Sequence, residues 1–199
     1  MRVIAGTYRS RILKSLKGQA LRPTSDRLRE TLFNVLGPAV TGARFLDIFA
    51  GTGAVGIEAI SRGATEVVFI ENHAPAAALI RKNLDSLGVR SGATVLGVDA
   101  LRGLETLAAG RKGGGCQFDF VFFDPPYAAT EEYTRVLRFL GSAPFLAPGS
   151  IVIAEHRHNF ELPARACALV RYRVLKQGDA ALSFYRQSAG EVTEPDRTK

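Results

Sequence analysis

Short, nearly continuous apolar runs separated by helical stretches constrain the fold of this chain more than any other feature of its sequence. The strand-like runs lie at Arg44–Phe49, Glu66–Glu71, Thr94–Val98, Phe118–Phe123 and Ser150–Glu155. The helical stretches lie at Ala54–Ser61, Ala74–Leu87, Ala100–Ala109 and Glu131–Leu140. Runs such as VVFI, FVFF and IVIA present no polar face, which is typical of strands buried on both sides of a parallel sheet.

The two ends of the chain add smaller elements to this sheet. Leu169–Gln177 and Ala180–Arg186 meet at a Gly-Asp pair and predict a terminal antiparallel hairpin. Five parallel strands followed by such a hairpin favour an α/β fold of the class I (Rossmann-like) S-adenosylmethionine-dependent methyltransferase type, with a mostly parallel seven-stranded sheet. A Rossmann dehydrogenase would continue with further βα units. At the other end, residues 2–16 predict a small hairpin, and a helix follows from about Asp26 to Leu36.

The net charge of +7 is concentrated at the N-terminus. Residues 1–30 contain eight Lys and Arg residues against two acids, whereas the remaining chain is nearly balanced. Clustered cations gain free energy from counterion release when they meet phosphates, so this segment favours a nucleic-acid-binding arm in which Arg9, Arg11 and Lys14 contact phosphates. We expect three parts: a basic RNA-binding hairpin and helix over 1–40, a methyltransferase domain over 41–188, and a polar, flexible tail over 189–199.

The location and assembly of the chain are predicted from what its sequence lacks. No apolar run has the length of a membrane span or the form of a signal peptide, so we expect a cytoplasmic protein with no membrane partner. The two cysteines and three histidines do not have metal-ligand spacing with suitable partners, so we predict no metal site. We expect the protein to be a monomer.

A glycine-rich loop follows the first predicted strand and opens a helix. It spans residues 47–56, DIFAGTGAVG, in which the glycines let the backbone approach a ligand closely. Glu71 ends the next strand, where a carboxylate can accept both ribose hydroxyls of a nucleotide. The predicted cofactor-binding residues are Asp47, Phe49, Ala50, Gly51, Thr52, Gly53, Glu71, Asn72, Asp99 and Ala100.

Two further acids distinguish S-adenosylmethionine from a dinucleotide. Asp47 precedes the glycines, where a carboxylate suits the ammonium group of a methionine moiety and would repel a pyrophosphate. Asp99 follows the third strand, where it can accept a hydrogen bond from an adenine amino group. Any one acid could be only a helix cap or a solvated loop residue. Three acids after three consecutive strands favour S-adenosylmethionine, because open α/β sheets bind ligands at that edge.

The fourth strand runs into Asp124-Pro125-Pro126-Tyr127, which we predict to be the catalytic segment. The prolines are rigid, and they would fix the Asp124 carboxylate and the Pro125 carbonyl as two acceptors. Two acceptors on the hydrogens of a planar amino group aim its lone pair at a methyl sulfonium and stabilise the charge that grows on nitrogen. Asp124 could then receive a proton, and Tyr127 could stack on a base. The alternative is a stiff strand-to-helix connection.

These stretches resemble the RsmD family, bacterial methyltransferases that modify the N2 amino group of a guanine in 16S ribosomal RNA. The resemblance lies in residues 21–34 (LRPTSDRLRETLFN), residues 46–59 (LDIFAGTGAVGIEA), the segment DPPY at 124–127 and the opening MRVIAG. It implies S-adenosylmethionine as the cofactor and 16S rRNA in an assembled or assembling small subunit as the partner. It also implies that Arg22, Thr24, Arg27 and Arg29 lie near the target or the cofactor.

Four other functions remain open from the residues alone. DPPY also occurs in DNA adenine-N6 methyltransferases, and NPPY occurs in protein glutamine methyltransferases. The chain is too short for the larger recognition domain of a typical DNA enzyme, and a glutamine methyltransferase has no need of a basic arm. A non-catalytic RNA-binding assembly factor would not need the complete set of acids. A dehydrogenase is the fourth alternative, which cofactor binding would distinguish.

Overall fold

The computed structural model describes residues 1–15, 26–110, 117–126 and 128–188, and a twisted sheet with helices on both faces forms its framework. The helices are α1 Asp26–Leu36, α2 Ala54–Ser61, α3 Ala74–Leu87, α4 Ala100–Gly110 and α5 Thr130–Leu140, with a 3-10 turn at Gly37–Val40. The strands are β1 Arg44–Ile48, β2 Glu66–Ile70, β3 Ala93–Leu96, β4 Phe118–Phe123, β5 Leu146–Arg157, β6 Arg165–Ala166, β7 Leu169–Gln177 and β8 Ala180–Gln187.

The strands lie in the order β3-β2-β1-β4-β5-β8-β7-β6. The first five are parallel, and β8, β7 and β6 are antiparallel to their neighbours, so the predicted parallel sheet with a terminal hairpin is confirmed. The sheet has eight strands rather than the predicted seven. The additional strand is Arg165–Ala166, which pairs with the start of β7 and is too short to leave an apolar pattern in the sequence.

The sheet separates two apolar cores, which explains why its central strands have no polar face. In β4, Phe120 and Phe122 pack into one core with α1, α2 and α3. Val121 and Phe123 pack into the other core with α4 and α5. The core that contains Phe120 and Phe122 defines what is called here the front face of the sheet, and the other defines the back face.

The N-terminal arm, residues 1–15, is less regular than the predicted hairpin. Its two sides are joined by one antiparallel bridge between Arg2 and Ile12, and most of the segment between them is turns and bends, since tight turns leave no room for longer strands. Val3 and Leu13 are buried in the front core, so the arm packs on the same core as the rest of the fold. The functional division at residue 40 therefore stays a prediction.

Several predictions concern residues outside the described ranges. They include the roles of Arg22, Thr24 and Tyr127, as well as the flexible tail over 189–199. In the part of the chain that the structure describes, no helix is long and apolar enough to cross a membrane.

Candidate functional site

Four carboxyl side chains form a row along the front face of the sheet, where the parallel strands end. Asp47 lies in β1, opposite Phe69 of β2 and Phe122 of β4. Because side chains alternate along a strand, Glu71 and Asp124, two residues beyond those phenylalanines, continue on the same face as Asp47. Ala154 of β5 pairs with Phe123, so Glu155 continues next to Asp124. Here, the acidic row means Glu71, Asp47, Asp124 and Glu155, which follow the strand order β2-β1-β4-β5.

The acidic row is shielded from solvent. Asp47, Glu155 and Glu71 are 1, 4 and 8% exposed, and Asp124 is partly buried. Burial raises the pKa of Asp47 to about 7, the hydrogen bond from Gly56 lowers it in part, and the charges of Glu71 and Glu155 raise it further. Burial, with the charges of Glu155 and Asp47, also raises the pKa of Asp124 well above its ordinary value. A cationic ligand would relieve this concentration of negative charge.

The glycine-rich loop curls tightly between β1 and α2. Phe49, Gly51 and Gly53 have φ of 60, 54 and 77 degrees, which is a costly conformation for Phe49 because it has a Cβ. The NH group of Gly53 donates to the carbonyl of Ala50 at 2.7 Å, and this turn begins α2. Thr52 is buried, and its carbonyl accepts a hydrogen bond from Asn83.

Two carboxylates of the acidic row hold this loop in place. Oδ2 of Asp47 accepts the NH of Gly56 at 2.9 Å. Oε2 of Glu71 accepts the NH of Gly51 at 2.7 Å, and Oε1 accepts the NH of His73 at 2.8 Å. Asp47 and Glu71 therefore have a structural role, and their contacts with a cofactor stay predictions. Asn72 is exposed beside Glu71.

The location of Asp99 differs from the sequence interpretation. β3 ends at Leu96, and Asp99 lies three residues later in the turn before α4. Its Oδ1 atom accepts the NH of Arg102 at 3.0 Å, so Asp99 caps α4. The exposed side chain still lies beyond the parallel edge, and buried Ala100 begins the helix.

The Asp-Pro-Pro segment leaves β4 beside the glycine-rich loop. The NH of Asp124 donates to the carbonyl of Ile48 at 3.4 Å, which links the ends of β4 and β1. The carbonyl of Pro126 accepts the NH of Ala129 at 2.7 Å and so closes a turn. Among the described residues, no donor binds the carbonyl of Pro125. Its carbonyl and the Asp124 carboxyl are therefore the two acceptors that the segment can offer.

Glu155 is a member of this site that the sequence analysis missed. Its strand, IVIAE, had been interpreted only as a buried strand, because one acid at a strand end carries no distinguishing signal. The parallel register of β4 and β5 places it beside Asp124. The hydroxyl of Tyr133 in α5 donates to the main-chain carbonyl of Glu155 at 3.0 Å, which fixes this end of β5.

The N-terminal arm is anchored by polar contacts to α2 and α3. Glu58 accepts the NH groups of Ile4 and Ala5 at 2.8 and 3.0 Å. The NH of Lys14 donates to Asn83 at 2.9 Å. Gly6 allows a close approach, because a Cβ at this position would lie 1.8 Å from the carbonyl oxygen of Ser61.

The predicted RNA-binding residues do not all have the same environment. Arg9, Arg11, Lys14 and Arg27 are exposed. Arg11 also donates to the carbonyl of Ser86 at 3.1 Å, which holds its guanidinium on the surface beside α3.

The prediction for Arg29 is wrong. Its side chain is fully buried, and it donates to the carbonyl of Arg2 at 2.6 Å and to Asp26 at 3.0 Å. Its Nε lies 3.8 Å from Glu58, the buried acid that anchors the arm. Arg29 thus pairs with the buried Glu58 and the exposed Asp26 instead of facing a phosphate, because α1 turns this position towards the core.

In the described part of the chain, no group of three or more Asp, Glu, His and Cys side chains could hold a metal ion. Moreover, the carboxylates of Asp47 and Glu71 already bind main-chain NH groups of the loop.

Comparisons with known proteins show which family, relatives and solved structures this chain is similar to. A family described as "Conserved hypothetical protein 95" matches residues 1–186. The "Ribosomal RNA small subunit methyltransferase D" of Escherichia coli (strain K12) is 33% identical over 198 residues, covering 98% of this chain and 94% of that protein. A solved Escherichia coli structure, provisionally named methyltransferase yhhF, superposes with a TM-score of 0.80 at 30% identity, covering 96% of this chain and 99% of the other.

A more distant structure shares the fold alone. It is provisionally named a SAM-dependent methyltransferase from Streptococcus mutans, with a TM-score of 0.62 at 13% identity. The alignment covers 80% of this chain and 47% of that protein. The predicted class I methyltransferase fold is confirmed by these likenesses together with the strand order.

Proposed function

Because the chain belongs to the Conserved hypothetical protein 95 family, we propose that it methylates the exocyclic N2 amino group of a guanine in 16S rRNA, using S-adenosylmethionine. The family membership agrees with the resemblance to RsmD seen in the sequence motifs. The relative named small subunit methyltransferase D supports the choice of substrate. The observation that carries the chemistry is the acidic row, which contains Asp124, one of the two acceptors of the Asp-Pro-Pro segment.

The residues around the glycine-rich loop fit S-adenosylmethionine. When bound, this cofactor supplies an electrophilic methyl group on a positively charged sulfonium. Buried carboxylates of the acidic row offer the negative charge that suits its sulfonium and its ammonium group. We assign the ammonium to Asp47, the ribose hydroxyls to Glu71 and the adenine amino group to Asp99. The positive φ angles of Gly51 and Gly53 keep the loop backbone close to this space.

Asp124 and Pro125 orient the target amino group. Their two oxygens each accept one amino hydrogen, so the nitrogen lone pair points towards the methyl group. The Asp124 carboxylate also stabilises the positive charge that develops on the nitrogen. Its raised pKa makes it a better proton acceptor than an ordinary Asp once the new N–C bond has formed. We assign the stacking of the target base to Tyr127.

The N-terminal arm gives the substrate its second point of attachment. Arg9, Arg11 and Lys14 are exposed on a segment whose backbone is fixed by Glu58 and Asn83. Exposed cations on a fixed backbone suit phosphate groups, because little backbone freedom is lost on binding. We place the RNA across this arm, with the target base extruded from its stack into the site.

A transfer assay over four substrate classes tests this function. S-adenosylmethionine labelled in the methyl group is offered to unmethylated small ribosomal subunits, naked 16S rRNA, duplex DNA and a glutamine-containing peptide. We expect label in the small subunit and little in DNA or peptide. Label mainly in DNA or peptide would overturn the substrate while keeping the site. Cofactor binding without transfer to any substrate would favour the non-catalytic RNA-binding alternative.

A further inference from the structure

A β-bulge at Tyr172 places an aromatic ring and two guanidinium groups together on the front face of the terminal hairpin. In the pairing of β7 with β8, Arg171 lies opposite Tyr185 and Arg173 lies opposite Phe184, so Tyr172 is an additional residue. The bulge lets Tyr172 and Arg173 project on the same face, whereas neighbours in a regular strand would alternate. Tyr172, Arg173 and Arg186 are called here the hairpin patch.

Ring contacts confirm that the three side chains form one cluster. The ring centroids of Tyr172 and Phe184 lie 6.3 Å apart. The guanidinium of Arg186 lies 4.6 Å from the centre of the Tyr172 ring, and that of Arg173 lies 5.9 Å from the centre of Phe184. Tyr172 is nevertheless 45% exposed, so its ring is open to a ligand. The cluster therefore presents an aromatic surface with two cations fixed beside it.

The hairpin patch lies on the face of the sheet that also carries the acidic row and the N-terminal arm. Phe184 belongs to the front core together with Val3 and Leu13 of the arm. Its pairing partner in β5 is Ile153, two residues before Glu155. With about 4.8 Å between strands, the patch lies roughly 15 Å from Asp124. One extended polyanion could therefore contact both the patch and the catalytic edge.

The charge of the hairpin agrees with a polyanionic partner. Its two strands contain four Lys and Arg residues and no acid. Within the residues that the structure describes, neither Arg173 nor Arg186 forms an ion pair. Cations on an outer strand can also serve to prevent sheet-to-sheet aggregation. That role would require neither an exposed aromatic ring nor a bulge that re-aims it towards the catalytic face.

We propose that the hairpin patch is a second RNA-binding surface, at which Arg173 and Arg186 bind phosphates and Tyr172 contacts a base. This inference rests on the proposed function, since it takes RNA as the substrate. It adds a contact on the same face of the sheet but at the β8–β7 end of the strand order, away from the arm, which lies on α2 and α3. Two separated contacts would fix the direction of the RNA across the site, which the arm alone cannot do.

The test compares a double variant of the patch with a matched double variant elsewhere. Arg173→Gln/Arg186→Gln removes both charges but keeps the aliphatic stems over the rings. Arg135→Gln/Arg138→Gln removes two exposed charges from α5, which packs on the back face of the sheet. For each protein we would measure affinity for unmethylated small subunits and for naked 16S rRNA at several salt concentrations, the KM and kcat of transfer, cofactor affinity and melting temperature.

We expect the patch variant to bind RNA about tenfold more weakly. The slope of the logarithm of its RNA-binding constant against the logarithm of the salt concentration should become shallower by about 1 to 2. KM should rise with kcat and cofactor affinity unchanged, and the α5 variant should match the original protein. Tyr172→Leu should also weaken RNA binding but leave the salt slope unchanged. Equal affinity and equal slope in the patch and α5 variants would overturn the proposal. Because RNA binding is measured apart from transfer, failure of the patch is distinguishable from failure of the proposed function.

Discussion

Replacing Asp47 by Asn should make the stability of the fold less dependent on pH. Asp47 is 1% exposed, and its pKa is raised from 3.8 to about 7, chiefly by burial. An acid with a raised pKa keeps its proton in the folded state while the unfolded chain has lost it. Its contribution to stability is therefore fully present below about pH 4 and is lost as pH rises through 7. Asn cannot ionise, yet its oxygen can still accept the NH of Gly56.

The size of this effect follows from the two pKa values. One pKa unit corresponds to about 1.4 kcal/mol, so the full loss between pH 4 and 8 is about 4 kcal/mol. Integrated only between pH 5 and pH 8, the loss assigned to Asp47 is about 2.5 kcal/mol. The charge of Asp47 also raises the pKa of Asp124, so the variant should lower that pKa as well. This second effect makes the pH dependence of the variant flatter still.

Urea unfolding at pH 5 and pH 8 would measure this difference. Relative to the original protein, Asp47→Asn should gain about 2.5 kcal/mol in unfolding free energy as the pH is raised from 5 to 8. Asp85→Asn is the control, because Asp85 is exposed on α3 and its variant should follow the pH dependence of the original protein. If the unfolding free energies of Asp47→Asn and of the original protein changed equally with pH, the argument that burial raises the pKa of Asp47 would be refuted.

Three further changes test the site and its support. Asp124→Ala should reduce transfer at least a hundredfold while cofactor affinity measured by calorimetry changes little, and unaltered transfer would exclude the proposed role of this acid. Glu155→Gln should shift the acidic limb of the pH–rate profile to lower pH, because the charge of Glu155 raises the pKa of Asp124. An acidic limb at the same pH as in the original protein would contradict this coupling. Arg29→Ala should destabilise the protein by about 2 to 5 kcal/mol in urea unfolding, because it empties a fully buried site and removes hydrogen bonds to Arg2 and Asp26, although Arg62 still pairs with Glu58 at 2.8 Å. A loss of RNA affinity with normal stability would restore the phosphate-binding interpretation.

The central sheet could be predicted from the sequence because β1, β2 and β4 are buried on both faces and helical stretches separate the strands. The bounds of β4, α2 and α3 agree with the prediction, and those of β1 and β2 differ by one residue. The short strand Arg165–Ala166 could not be predicted, because pairing with β7 creates it rather than an apolar pattern.

The candidate site was only partly visible in the sequence. The glycine-rich loop and Asp-Pro-Pro are local motifs that can be recognised in the sequence. The fold class then predicts that they lie side by side, at the ends of β1 and β4. Glu155 depends on the register between β4 and β5, and Arg29 depends on the face of α1 that turns inward. The role predicted for Arg29 rests on the family resemblance of residues 21–34, and that local motif does not show that α1 turns this side chain inward.

The most direct test of the central claim is the identity of the methylated nucleoside. Unmethylated small subunits would be incubated with the protein and S-adenosylmethionine, and their 16S rRNA would be digested to nucleosides and analysed by mass spectrometry. The proposed function predicts N2-methylguanosine, which is formed by the original protein and not by Asp124→Ala. A methylated adenosine, or N2-methylguanosine formed equally by the variant, would contradict the assignment of the acidic row and Asp124 to guanine N2 methylation.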